Sequence, residues 1–406
     1  MRPILTGLLG LAIATACRGE RPQATDQLTA AAEFERLVDS IAPDIARVTG
    51  LEWRQPPRAG IRSKEEVRRY LLEKVAAELP PERLAGMTAS YRLLGLLPDT
   101  LDLQKLLVDL YAEQVVGFYD PDSAMLFGVE GSDPAQLRLL VAHELTHALQ
   151  DQYVRLDSIL GMRNESDRQA AAQAIMEGQA MIVSMQVFAP DPSVVTQPGF
   201  WEMARGTVRE LQGSTPVFRS APLVLREGLL FPYLDGAEWI VWWENSALAD
   251  SVPFGARLPE SSEQILHPAR YQAGDRPLAV RFGADTTGVL YEDTMGELEL
   301  RILDGQLAGR NTRSESAVPY GWAGDRFRTL DTPAGPALVW YIAWDEPRHA
   351  DRWLSNTGSQ LRQRGRAGYR TTVDAVTIGD RAGSRVVIAP EGWSGWNAIP
   401  EAAIVP

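Results

Sequence analysis

Residues 143–147 read His-Glu-Leu-Thr-His, a run that takes two of the four histidines in a 406-residue chain. This spacing constrains the fold more than any other feature. Two imidazoles four positions apart can serve one ion when the segment is helical, because i and i+4 then share a face one turn apart. The residue types suit that use: neutral imidazoles bind borderline-soft Zn²⁺ well, and Glu144 can turn its carboxylate toward a metal-bound water instead of the metal. The preceding residues predict a helix start, with Asp133 at the N-cap, Pro134 at the first helical position and Gln136 at the third. Leu137, Leu140, Val141, Leu145, Ala148 and Leu149 supply apolar contacts around it, so the helix is expected to run buried to about Tyr153.

A catalytic zinc keeps three protein ligands and leaves a position for water, so a third ligand is needed. Between Ala170 and Ala189 the only charged side chain is Glu177, on a stretch otherwise rich in alanine, methionine and β-branched residues. The stretch reads as a core helix, where an ionised carboxylate is costly unless it pairs with a cation or a metal. Glu177 is therefore the expected third ligand; a wet face pairing it with Arg168 or Arg205 is the alternative. Gly178 beside it removes a side chain where two helices could approach closely.

With these residues in view, the chain resembles the gluzincin branch of zinc metallopeptidases, whose relatives include thermolysin. The resemblance implies one zinc ion on His143, His147 and Glu177, with Glu144 as the catalytic base. Many gluzincins continue the second helix as E-x-x-x-D, whereas Met181 stands four residues after Glu177 here, so the group that orients a zinc histidine must come from elsewhere. Asp151, one turn beyond His147, is the candidate. A wider resemblance, to a family of extracytoplasmic bacterial proteins with a zinc-peptidase-like motif, is carried by Glu113 to Pro121, Ala148-Leu149-Gln150-Asp151-Gln152 and Glu177-Gly178-Gln179-Ala180. Phe231-Pro232-Tyr233 with Gly236, Ser262 to Pro268 with Tyr271, and Gly321-Trp322-Ala323-Gly324-Asp325 extend it. Within the fifth of these phrases, His267 is a second candidate catalytic residue, since peptide hydrolysis needs a donor for the oxyanion and an imidazole or phenol can supply it. A loop histidine satisfied by backbone is the competing reading. His349, among Glu346, Arg348 and Asp351, is expected to be exposed.

The first residues bear on compartment. Met1-Arg2 is a short basic start, Pro3 to Ala16 is apolar or small, and Ala14-Thr15-Ala16-Cys17 resembles a bacterial lipobox, which predicts a signal peptide over 1–16 and lipid on Cys17. Cys17 is the sole cysteine, so no internal disulfide can form. Formal charge is 40 basic against 53 acidic residues; without 1–16, which hold only Arg2, the balance is 39 against 53, or −14. Nucleic acid is thereby an unfavourable partner. Leu229 to Trp243, the most apolar later stretch, contains Pro232, Asp235, Gly236 and Glu238 and reads as a core helix instead of a membrane span.

The fold class expected is α+β, a zincin-like catalytic domain with a helical N-terminal region and a small C-terminal α+β domain. The boundaries are 17–30 for a lipidated tether, 31–114 for helices, 115–311 for the catalytic domain and 312–406 for the last domain. Val115 to Tyr119 and Ala124 to Val129 predict a hairpin feeding the motif helix, whose edge could pair with an extended peptide or simply cap the core. The chemistry expected is zinc-assisted hydrolysis of a peptide bond in a protein or peptide substrate, at the cell envelope and outside the cytoplasm. The alternatives are a non-catalytic zinc lipoprotein that binds a protein partner, and a peptidase whose N-terminal helices cover the cleft.

Overall fold

The structure, a computed structural model, describes residues 24–156, 162–189, 191 and 193–405. The signal peptide and Cys17 lie outside the described residues. Helix is already established at Ala24, in α1 (Ala24–Thr49), so the last part of the expected tether is helical backbone. A capping box starts α2 (Lys64–Glu78): the Ser63 hydroxyl accepts from the Glu66 amide and the Glu66 carboxylate accepts from the Ser63 amide. Two more helices, α3 (Pro81–Leu94) and α4 (Leu103–Gln114), follow as the sequence predicts.

The expected hairpin is present as β2 (Gly117–Asp120) and β3 (Met125–Val129), antiparallel with Phe118 opposite Phe127. A short strand that sequence reasoning missed, β1 (Ala59–Arg62), pairs parallel with β3 and places β3 at the centre of a three-stranded sheet, order β1-β3-β2. The motif helix α5 (Pro134–Asp151) leaves this sheet directly, and Asp133 caps it by accepting from the Gln136 amide at 3.2 Å.

Helix α1 lies on the back of α5. Phe34, Val38, Ile41 and Ile45 form one cluster with Val141, Leu145 and Leu149, all buried. Those α5 positions recur at i, i+4 and i+8, the face turned away from His143 and His147. Burying each such side chain contributes roughly 1.5–3 kcal/mol, so α1 braces α5 from the side opposite its histidines.

Beyond the motif come α6 (Ser166–Phe188), α7 (Phe200–Ser214) and α8 (Leu223–Glu244), the last being the core helix expected around Leu229 to Trp243. The α6 and α8 backbones touch at two glycines. A Cβ on Gly178 would stand 2.2 Å from the carbonyl carbon of Gly236, and one on Gly236 would stand 2.0 Å from the Ala174 oxygen. Both residues must be glycine for the helices to lie this close. No helix among the described residues is long and apolar enough to cross a membrane.

The C-terminal part contains a five-stranded antiparallel sheet in the order β5-β6-β7-β9-β8, built from β5 (Val289–Asp293), β6 (Trp322–Leu330), β7 (Ala337–Trp344), β8 (Tyr369–Ile378) and β9 (Arg381–Pro390). The small pair β4 (Ala279–Phe282) and β10 (Ala402–Val405) stands beside it. Because β5 joins from before residue 312, the unit expected over 312–406 starts earlier than its sequence pattern suggests. Central β7 reads Ala-Leu-Val-Trp-Tyr-Ile-Ala-Trp and is buried throughout. Leu338, Trp340, Ile342 and Trp344 face the main core with the helices, while Val339, Tyr341 and Ala343 face Val280 and Phe282, the period-two alternation of a strand covered on both sides. The architecture is mixed α+β, as expected.

The joint between sheet and helices explains another of the sequence phrases. Asp325, in β6, accepts from the amides of Met295 and Gly296 and from the indole N–H groups of Trp322 and Trp340, at 2.9–3.0 Å. These bonds pin the start of α9 (Gly296–Leu307) to the sheet. Gly296 has φ +72°, and a Cβ there would collide with the Asp167 carboxylate, so glycine is required on both counts.

Candidate metal centre

Three of the expected site residues meet. His143 and His147, one turn apart on α5, and Glu177, midway along α6, bring one ligand atom each to within 4.8 Å of one another, and all three are buried. The closest approaches are 3.0 Å from His143 Nε2 to Glu177 Oε2, 3.2 Å from His147 Nε2 to Glu177 Oε2, and 3.2 Å between the two Nε2 atoms. Zinc with N and O ligands at about 2.0–2.1 Å in tetrahedral geometry sets ligand atoms about 3.3 Å apart. The triangle therefore fits such an ion with only small adjustment, and Arg205, one of the two alternative partners for Glu177, is engaged instead with Asp235 and Glu238.

The electrostatics agree with a cation site. Burial pushes both imidazoles down; for His143 it prevails, whereas for His147 the charge and hydrogen bond of Glu177 outweigh it and lift the group to about 9. Glu177 is itself pushed up by burial, but His147 and His143 more than reverse this and hold it far below the usual carboxylate range. A field that retains a proton on a buried imidazole also attracts a divalent cation.

One histidine has its tautomer set by a residue next to the one expected. His147 Nδ1 lies 2.8 Å from Gln150 Oε1, while Gln150 Nε2 donates to the Met176 carbonyl and to Gln179 Oε1. Those two bonds fix the amide's orientation, so its oxygen faces the imidazole and accepts from Nδ1–H, which leaves Nε2 as the nitrogen that gives up its proton when a metal binds. Asp151, the orienting group expected from sequence, instead accepts from the Tyr119 hydroxyl at 2.8 Å and from the Leu156 amide at 3.2 Å. Helix phase separates the two roles: Gln150 lies three residues on from His147, toward α6, and Asp151 four residues on, toward β2.

Glu144 sits beside the triangle and is fully buried. Its Oε2 accepts from the Tyr119 amide at 2.8 Å, and its Oε1 is buried without a hydrogen-bond partner. Burial pushes this carboxyl up to about 8, with His147 and the Tyr119 amide pulling it down and Glu177 pushing it up. The strand edge is thus partly used by the protein: β2 is buried along its length, and the Tyr119 N–H that points away from β3 is taken by Glu144.

His267 is not part of this group. Its Nε2 lies 3.0 and 3.1 Å from the two oxygens of Glu297, and its ring stands edge-on to Tyr320. It borders a separate cavity whose lining includes none of His143, Glu144, His147 and Glu177. A phenol does lie beside the ligands: the Tyr233 ring of α8 stacks on His143 at 5.9 Å between centroids. Burial, then the charges of Glu177 and Glu144 and a hydrogen bond to Glu177, raise its hydroxyl well above the ordinary value. The phrase Phe231-Pro232-Tyr233 was the available signal, although core packing accounts for an aromatic there equally well at the level of sequence. His349, expected to be exposed, is buried against Gly321 with its ring near Tyr320.

Residues 285–392 match the family model described as "Domain of unknown function (DUF8575)", a span that coincides with the β5–β9 sheet. No curated protein matches the chain. Among solved structures, the chain is similar to a protein from Chloroflexus aurantiacus described as a "putative hydrolase with a novel fold", at 20% identity, covering 63% of this chain and 92% of that one, with a TM-score of 0.42. Any functional reading therefore rests on the geometry of the site itself.

Proposed function

We propose that the protein is a zinc-dependent peptidase, with His143, His147 and Glu177 as metal ligands and Glu144 as general base. The observation that carries this reading is the unpartnered, buried Oε1 of Glu144 next to three converging ligand atoms. A site that held metal only for structure needs no such oxygen, and an orphaned buried acceptor costs about 1–3 kcal/mol unless something uses it. When bound, a zinc ion supplies a Lewis acid and lowers the pKa of water to near neutrality.

The chain's own groups divide the remaining work. Glu144 takes a proton at Oε1 and later returns it to the leaving amine, while the Tyr119 amide holds Oε2 so that the carboxylate does not rotate. Gln150 keeps His147 in the tautomer that presents Nε2. Tyr233 is assigned the part expected of His267, its phenol O–H turning from Glu177 to donate to the developing oxyanion. The same reading places the protein at the cell envelope, outside the cytoplasm, tethered through lipid on Cys17, with a protein or peptide as substrate; the lipobox-like sequence supports the anchor.

The test compares the wild type with Glu144→Gln, by elemental analysis for zinc and by digestion of an unbiased peptide library. Equal zinc with cleavage reduced on the order of 10²–10⁴-fold is expected. A wild type that holds zinc and cuts nothing would leave the non-catalytic lipoprotein as the better description.

A further inference from the structure

Helix α8 has a second functional-looking face. Tyr233, Gly236 and Ala237 turn toward the metal ligands and α6. Asp235, Glu238, Trp239 and Trp242 lie on another side and line a cavity of about 580 Å³, a size common for small-molecule sites. Neither the metal ligands nor Glu144 border it.

Four guanidiniums line this cavity, and each already has a carboxylate. Arg313 holds Asp235 through two bonds of 2.6 and 2.9 Å, Arg205 pairs with Glu238, Arg209 lies 3.2 Å from Glu227, and Arg301 donates to Glu297 at 2.8 Å. A free anion would have to displace an internal carboxylate from the buried Arg313–Asp235 or Arg301–Glu297 pair, which is strongly unfavourable, or compete with the exposed Glu238 for Arg205. The lining charges balance, four guanidiniums against Glu202, Asp235, Glu238 and Glu315, so net charge favours neither a free anion nor a free cation. What the pairs leave over is a fixed set of spare N–H donors and carboxylate lone pairs at close quarters, an array that suits groups able both to donate and to accept.

The apolar part of the wall joins two indoles, Trp239 and Trp242, to Ile265, Leu266 and Pro268. Trp239 is buried and fixed by donation from its indole N–H to the Gln264 carbonyl at 3.1 Å, and half-buried Trp242 leans on it with ring centroids 5.3 Å apart. The partly exposed Trp242 ring, backed by buried Trp239, sets flat indole surface beside paired donors and acceptors, which matches a pyranose ring with C–H groups on one face and hydroxyls around its edge. We propose that this cavity binds an uncharged saccharide, as a site separate from the metal centre.

Isothermal titration of the full-length protein, zinc-loaded and zinc-free, tests this with N,N′-diacetylchitobiose, cellobiose and maltose, using inorganic phosphate and spermidine as charged comparisons. At least one disaccharide should bind with 1:1 stoichiometry, equally with and without zinc, and at least roughly tenfold more tightly than phosphate or spermidine. Trp242→Ala should weaken that binding at least tenfold, and Trp242→Phe, which keeps an aromatic plane, should weaken it less. Binding of none of the three sugars, tighter binding of phosphate or spermidine, or sugar binding unchanged in Trp242→Ala would each overturn the proposal. Because the readout is binding with or without metal, loss of the peptidase reading leaves this result interpretable.

Discussion

Replacing Gly178 by alanine sets two known effects against each other. In an exposed helix the change would stabilise by about 1 kcal/mol, since alanine is the better helix former. Here the new methyl would lie 2.2 Å from the carbonyl carbon of Gly236 and 2.4 Å from its oxygen, where ordinary contact begins at 3.4 Å. Restoring that distance requires α6 and α8 to move apart by about 1.2 Å, the difference between 3.4 and 2.2 Å. The obstacle is backbone, which no rotamer change can clear, so the cost belongs near the upper end of the 1–3 kcal/mol range for overpacking. A net loss of about 1–2 kcal/mol follows, measurable as a lower urea midpoint for the zinc-free protein. The same displacement acts on function, because Glu177 is the neighbour of Gly178 and Tyr233 rides on α8. Metal sites tolerate departures of about 0.2 Å in ligand distance, so zinc affinity, measured against a competing chelator, should fall at least tenfold. A Gly178→Ala protein as stable as the wild type, with unchanged zinc affinity, would show that this close crossing does not set the geometry of the site.

Two further perturbations act on other parts of the molecule. Gln150→Leu keeps the side-chain volume but removes the acceptor for His147 Nδ1, and zinc affinity should drop 10–100-fold in the same chelator competition; unchanged affinity would transfer the orienting role to another group. Asp167 is raised by burial to about 8, with Ser262 pulling down and Asp325 and Glu299 pushing up. A carboxyl whose folded pKa is raised gives stability that is full below the unfolded value, near 4, and is lost as pH rises toward 8. Asp167→Asn lacks this dependence, so its stability relative to the wild type should improve steadily from pH 4 to pH 8; a constant difference across that window would mean that Asp167 is not held protonated.

What could be read from the sequence was local. The α5 start at Asp133, the hairpin before it, the capping box at Ser63 and the four C-terminal strands all follow from turn chemistry and short-range periodicity, which do not depend on distant partners. Glu177 was readable because an acidic residue on an apolar helix demands a cation, and Gly178 because its missing side chain implies a close neighbour. The remainder depended on partners far along the chain. Four residues, Ala59–Arg62, became a strand only because β3 offers them a parallel edge. The choice of Gln150 over Asp151 was set by Met176 and Gln179 on another helix. His267 was drawn away by Glu297, thirty positions on, and Tyr233 gained its place beside His143 from the close crossing of α6 and α8, which the phrase around it does not specify.

The bond from the Tyr119 amide to Glu144 has a genetic consequence. Any amino acid at position 119 except proline carries the same main-chain hydrogen, so the grip on the acid is indifferent to side-chain identity there and survives almost every point mutation of the codon. It depends instead on strand alignment: sliding β2 by one residue against β3 would turn that hydrogen toward the sheet interior and release the carboxylate while every catalytic side chain stayed intact.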